Sequence, residues 1–73
     1  MTATLWISDR KCRVLIADAE GRVIDTDDTW NNRASAEMAV HDIYPEAAVK
    51  FVTDAKKIKE LDSEWNSCRN GVG

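Results

Sequence analysis

Asp25, Asp27 and Asp28 crowd one short stretch, and Trp30 follows two positions after the last of them. Three carboxylates beside an indole do little catalysis without a base, a nucleophile or a metal. They suit recognition. Negative charge steers a basic surface toward them, and a Trp at such a surface is a frequent anchor of binding energy. Asp18 and Glu20 stand just upstream and extend the negative field. The same acids have a plainer use, because charge on a hairpin edge discourages strand-to-strand aggregation. Trp30 has one too, since a loop Trp can fold back onto a sheet.

The remaining reactive groups assemble no reaction. His41 is the only histidine and falls in a helical segment, as a surface or rim residue. With Cys12 and Cys68 it cannot make a four-ligand zinc site. Ser35 and Ser63 have no histidine close in sequence, and there is no phosphate-cradling glycine loop and no CxxC. No enzyme, no metal and no cofactor is therefore expected. Lys56, Lys57 and Lys59 precede Glu60, Asp62 and Glu64, which reads as a solvated helix with ion pairs three and four apart rather than as a phosphate site.

Charge points the same way. Ten basic and thirteen acidic residues leave a net charge of −3, against non-specific nucleic-acid binding. Met1-Thr2-Ala3-Thr4 has neither the basic start nor the apolar run of a signal peptide. No stretch approaches the ~20 apolar residues of a membrane span. A reducing cytoplasm with both thiols free is expected; a Cys12–Cys68 bridge pinning the C-terminus to a strand is the alternative. At 73 residues, 44% hydrophobic and 32% charged, the chain is one small ordered domain. A domain this size buries only about 60% of its unfolded surface, so a second copy or a bound partner would help it.

The elements that position these groups follow from patterning. Leu5-Trp6-Ile7-Ser8 reads as a strand and Asp9-Arg10-Lys11 as a polar turn. Cys12 to Ala17 is the most apolar run, with Cys12, Val14 and Ile16 on one face and Arg13, Leu15 and Ala17 on the other. Asp18 to Gly21 is a hairpin turn in which Gly21 is free to take positive φ. Arg22 to Asp27 is a third strand, Val23, Asp25 and Asp27 alternating with Ile24, Thr26 and Asp28. Short connections make the three an antiparallel meander.

Thr29-Trp30-Asn31-Asn32 reads as a loop ending in a helix N-cap. A helix from about Arg33 to Ile43 turns Ala36, Ala39, Val40 and Ile43 toward the sheet and stops before Pro45. Two readings of the next segment stay open. Ala48, Phe51, Ala55, Ile58, Leu61, Trp65 and Cys68 form an unbroken stripe, which favours one long second helix beginning at Pro45. Alternatively, residues 49–53 form a short fourth strand and the helix begins at Asp54. Asn70-Gly71 stops the helix in either case. Trp6 and Trp65 belong to the core by spacing.

Residues 5 to 48 resemble the YegP-like family of small bacterial domains of unknown function. The resemblance runs through Arg13-Val14-Leu15-Ile16-Ala17-Asp18-Ala19-Glu20-Gly21-Arg22-Val23-Ile24-Asp25-Thr26, then Trp30, then Arg33-Ala34-Ser35-Ala36-Glu37 and on to Val40 and Ile43. Glu20 replaces the family's turn Asn and Trp30 a loop Tyr, and nothing from Phe51 onward corresponds. Members often carry the unit twice, so the resemblance implies a fold and a homodimer, not an activity. A second resemblance is to the first half of a ribonuclease H-like fold. Its metal-binding carboxylates would correspond to Asp9, Glu37 and Asp54, in the contexts Ser35-Ala36-Glu37 and Thr53-Asp54-Ala55, and would imply two-metal phosphodiester hydrolysis. The chain ends before a fourth acidic ligand and a fifth strand, and it lacks the glycine-rich loop expected after the first Asp.

Together these readings give an α+β domain: a three-stranded antiparallel meander, a helix and a C-terminal helix, with the helices on one face. The expected function is a non-enzymatic protein-binding module. Asp25, Asp27, Asp28 and Trp30 would contact a basic partner, in the manner of a phage or mobile-element inhibitor or adaptor. A truncated metal-dependent nuclease and a structural homodimer built on the open sheet face are the alternatives.

Overall fold

The computed structural model describes residues 1–69. Its order is β1 (Thr2–Ser8), β2 (Lys11–Ala17), β3 (Val23–Trp30), α1 (Arg33–Ile43), β4 (Ala48–Phe51) and α2 (Ala55–Arg69). The four strands make one sheet in the order β3-β2-β1-β4. The first three form the antiparallel meander, and β4 lies parallel to β1. The stop expected at Asn70-Gly71 lies outside the described residues.

The first turn is tight. Ser8 pairs with Lys11, so Asp9 and Arg10 alone connect the strands, at φ +52° and +66°. Two successive left-handed residues match the twist of the flanking strands, and Asp accepts that conformation better than most residues. The second turn is held by Asp18, whose Oδ1 accepts the N–H groups of Glu20 and Arg22, both at 2.9 Å. Gly21 takes φ +84° there, as expected of it.

Helix α1 begins and ends where its flanking chemistry dictates. Asn32 is extended, and its side chain accepts the Ser35 N–H at 2.9 Å. At the other end the Tyr44 N–H closes on the Val40 carbonyl, and Pro45 follows.

Two expectations fail. Of the two readings of the segment after Pro45, the long helix fails and the short fourth strand holds: α2 begins at Ala55, and residues 48–51 are a strand. Its Ala48 N–H donates to the Met1 carbonyl at 3.0 Å, and the Val52 N–H just beyond it to the Leu5 carbonyl at 2.8 Å. The free edge of β1 needs partners for its backbone groups, and that need outweighs a stripe compatible with helix. The helices also do not share a face. Ala3, Leu5, Cys12, Val14 and Ile16 pack under α1 with Ala36 and Val40. Trp6 and Leu15 pack on the opposite face with Trp65 of α2. The chain leaves β3 at one edge and enters β4 at the other, so α1 must cross one whole face. Only the second face remains for α2. Among the described residues each face of the sheet thus carries a helix, and neither is the open face expected from the sequence.

Strand β3 departs from strict alternation. Ala17 pairs with Val23 and Ile16 with Asp25, which leaves Ile24 as an extra residue. Val14 pairs with Asp27 and Cys12 with Trp30, which adds another between them. These bulges rotate the strand. Val23 thus packs toward Trp6 and Leu15, while Asp25 and Asp27 fall on the α1 side, and Ile24 is half exposed.

Candidate functional site

On the α1 side of the β3 edge lies a shallow groove enclosing about 250 Å³ open to solvent. Its floor is Val14, Ile16 and Val40, all buried. Trp30 and Tyr44 also line it, both partly buried against the same core. Ile43 stands at its lip, 61% exposed rather than turned to the sheet as its spacing suggests.

Asp25 and Asp27 also line the groove. Both carboxylates are held. Asp25 Oδ2 accepts the Tyr44 hydroxyl at 2.7 Å, and Oδ1 accepts the Thr26 N–H at 2.8 Å. That bond to Asp25 pushes the Tyr44 pKa up, with burial and the carboxylate charge adding to it. Asp27 Oδ1 accepts the N–H groups of Asp28 and Thr29, at 2.7 and 2.9 Å, and the Thr29 hydroxyl as well. Those N–H groups lie at the second bulge, where the ladder is interrupted. Asp27 therefore sets the local backbone as well as carrying charge. Trp30 closes β3 instead of lying in a loop. Asp28 is not among the groove's lining residues. Three of the four residues selected from sequence thus meet in one concavity, and Asp28 stands apart from them. Tyr44 and Ile43 were missed as groove residues. Their position just before Pro45, where the helix must end beside β3, was the available signal.

The carboxylates that would serve a nuclease have other settings. Asp9 occupies the left-handed first position of the β1–β2 turn. Glu37 pairs with Arg33 at 3.2 Å on α1. Asp54 is exposed, and its carbonyl accepts the Ile58 N–H at the start of α2. Among the described residues no group of three or more His, Cys, Asp or Glu side chains could hold a metal ion.

The most connected acid is one that sequence analysis placed on a solvated helix face. Asp62 reaches back from α2 to the sheet. Its Oδ1 accepts Trp6 Nε1–H and Arg13 Nη1–H, and its Oδ2 accepts the Ser8 hydroxyl, each at 2.8 Å. Burial pushes the Asp62 carboxyl up, but these bonds and the Arg13 charge outweigh it and hold the pKa below the ordinary range. Arg13 also lies over the Trp65 ring, 4.4 Å from its centroid, with Arg69 at 4.7 Å. All Asp62 partners are structural, so the cluster is a clamp between α2 and the sheet. Lys56, Lys57 and Lys59 are exposed, and none belongs to an ion pair among the described residues.

Cys12 is buried under α1 and Cys68 is exposed on α2, so both thiols are free. Burial raises the Cys12 pKa, Glu37 adds to the effect and Arg33 opposes it. A buried thiol kept protonated is a poor nucleophile.

Comparisons with protein-family models, with curated proteins and with solved structures return no match in any of the three. Among the described residues no helix is long and apolar enough to cross a membrane.

Proposed function

We propose that this chain is a non-enzymatic protein-binding module that presents the outer edge of β3 to a basic partner surface. One observation carries the reading: Asp25, Asp27 and Trp30 meet at an apolar groove on an edge strand. Fixed charges beside a concave apolar floor are the makings of a small anchor site with a polar rim. The Asp25 and Asp27 side chains are already oriented by hydrogen bonds, so binding loses little of their freedom. Charge at such a rim acts mostly on the rate of encounter. Residue types and position both allow a role as an inhibitor or adaptor.

The test is affinity capture from a lysate of the source cell, with the eluted mass read by size exclusion and light scattering. Wild type is compared with Asp25→Lys/Asp28→Lys. Asp27 is left alone because its carboxylate holds the bulge. The expected result is a stoichiometric partner whose affinity falls about tenfold in the variant, a difference of about 1.4 kcal/mol, with the melting temperature little changed. Equal affinity in both proteins overturns the reading. So does Mg²⁺- or Mn²⁺-dependent phosphodiester cleavage abolished by Asp54→Asn, which would restore the nuclease.

A further inference from the structure

We infer that the groove between β3 and the last turn of α1 takes the side chain of an arginine from the partner. The inference rests on the docking reading above and names what that surface recognises.

The first argument is electrical. The four ion pairs among the described residues engage Arg13, Arg22 and Arg33 with Asp62, Asp18, Glu20 and Glu37. None reaches Asp25 or Asp27. Asp27 Oδ1 is saturated by its local donors, while its Oδ2 accepts no hydrogen bond among the described residues. The two carboxylates share one apolar concavity and have no cation of their own there.

The second argument is shape. The groove is shallow, and its about 250 Å³ of space includes open solvent, so it is a surface for one side chain to lie along rather than a pocket that closes around a cofactor. The floor of Val14, Ile16 and Val40 would cover a hydrocarbon stem, and Ile43 at the lip would cover its upper part. Trp30 offers an aromatic surface, and the carboxylates offer acceptors for the head.

The third argument separates arginine from lysine. A guanidinium is planar and weakly hydrated, stacks on aromatic rings and pairs with carboxylates in a fixed fork. This molecule already uses that combination. Arg13 lies over Trp65 while bonding Asp62, and Arg33 lies 4.5 Å from the Phe51 centroid while pairing with Glu37. An ammonium head is more strongly hydrated and lacks the planar face.

The experiment is a ¹H–¹⁵N NMR titration of the full chain with three capped tripeptides, Gly-Arg-Gly, Gly-Lys-Gly and Gly-citrulline-Gly. Citrulline keeps the shape of arginine without its charge. The expected result is saturable movement of the Trp30 indole N–H with the arginine peptide, in the weak range proper to one side chain. The lysine peptide should bind several-fold less tightly, and citrulline should give no saturable shift. Asp25→Asn should weaken the arginine peptide about tenfold. The Trp6 indole N–H, bonded to Asp62 on the opposite face, reports that the variant is folded. If Asp25→Asn disturbs that signal, Trp30→Leu replaces it with the same expectation for the backbone resonances of Val14 and Ile16.

No saturable movement with arginine overturns the inference, as does equal binding of citrulline or of lysine. The two readings fail separately. A partner lost on Asp25→Lys/Asp28→Lys, from a groove that ignores arginine, would sink the inference and leave the docking surface. An arginine-binding groove on a protein whose partner ignores Asp25→Lys/Asp28→Lys would do the reverse.

Discussion

Asp62 shows how much one residue can carry in a small domain. It receives three side-chain donors from β1 and β2, and one of them, the Trp6 indole, is fully buried. Removing the carboxylate would strand Trp6 Nε1–H and the Arg13 guanidinium, whose Nε already has no partner. Asp62→Ala is expected to cost about 2–4 kcal/mol, read by urea unfolding. The pH dependence follows from the lowered carboxyl pKa. A depressed folded-state value means a contribution that is complete above the unfolded aspartate range and lost as pH falls through the folded one. The stability gap between wild type and Asp62→Asn should therefore be widest near neutrality and narrow in acid. A gap independent of pH would show that the clamp works by shape and not by charge.

At the scale of the element, β3 is the informative strand. It lies at the sheet edge, where unpaired N–H and C=O groups invite another chain. Two bulges and three aspartates answer that risk, and one aspartate also repairs what its bulge breaks. Asp27→Ala would free the Asp28 and Thr29 N–H groups on a partly solvated edge, at an expected cost of about 1 kcal/mol in thermal or urea unfolding. Asp28→Lys, whose side chain makes no hydrogen bond among the described residues, should stay within about 0.5 kcal/mol of wild type. Equal costs for the two would remove the structural role assigned to the Asp27 carboxylate. The edge that resists strand addition is the one that carries the groove, so a partner would engage it by side chains and not by extending the sheet.

The whole molecule is a sheet with a helix on each face, and each face has its own core. The α2 side depends on few residues: Trp6, Leu15 and Trp65 are its buried members, supported by Val23, Val52, Ile58 and Leu61. Trp65 is the only buried residue of α2. Trp65→Ala is expected to cost about 3–5 kcal/mol, since a large buried ring is lost and the site cannot refill. In a chain of 73 residues that approaches the whole stability available. Native-state hydrogen exchange should show α2 and β1 losing protection together. Loss of α2 protection alone would mean that the helix is an appendage.

Much of this was legible in the sequence because it is local. The turn at Asp18–Gly21, the Asn32 cap, the stop before Pro45 and the bounds of α1 are set by neighbours within a few residues. What the tertiary structure decided is long-range. Residues 48–51 suit either element, and the unpaired edge of β1 made them a strand. That strand put α1 across one face and sent α2 to the other. The bulges of β3 depend on pairing with β2, and the second brought Trp30 onto the face of Asp25 and Asp27, whereas alternation alone puts Asp28 on the other. Asp62 looks like any solvated helix acid until α2 docks, because its partners lie 49 to 56 residues away. Periodicity reports which face of an element is apolar; only packing reports what that face meets.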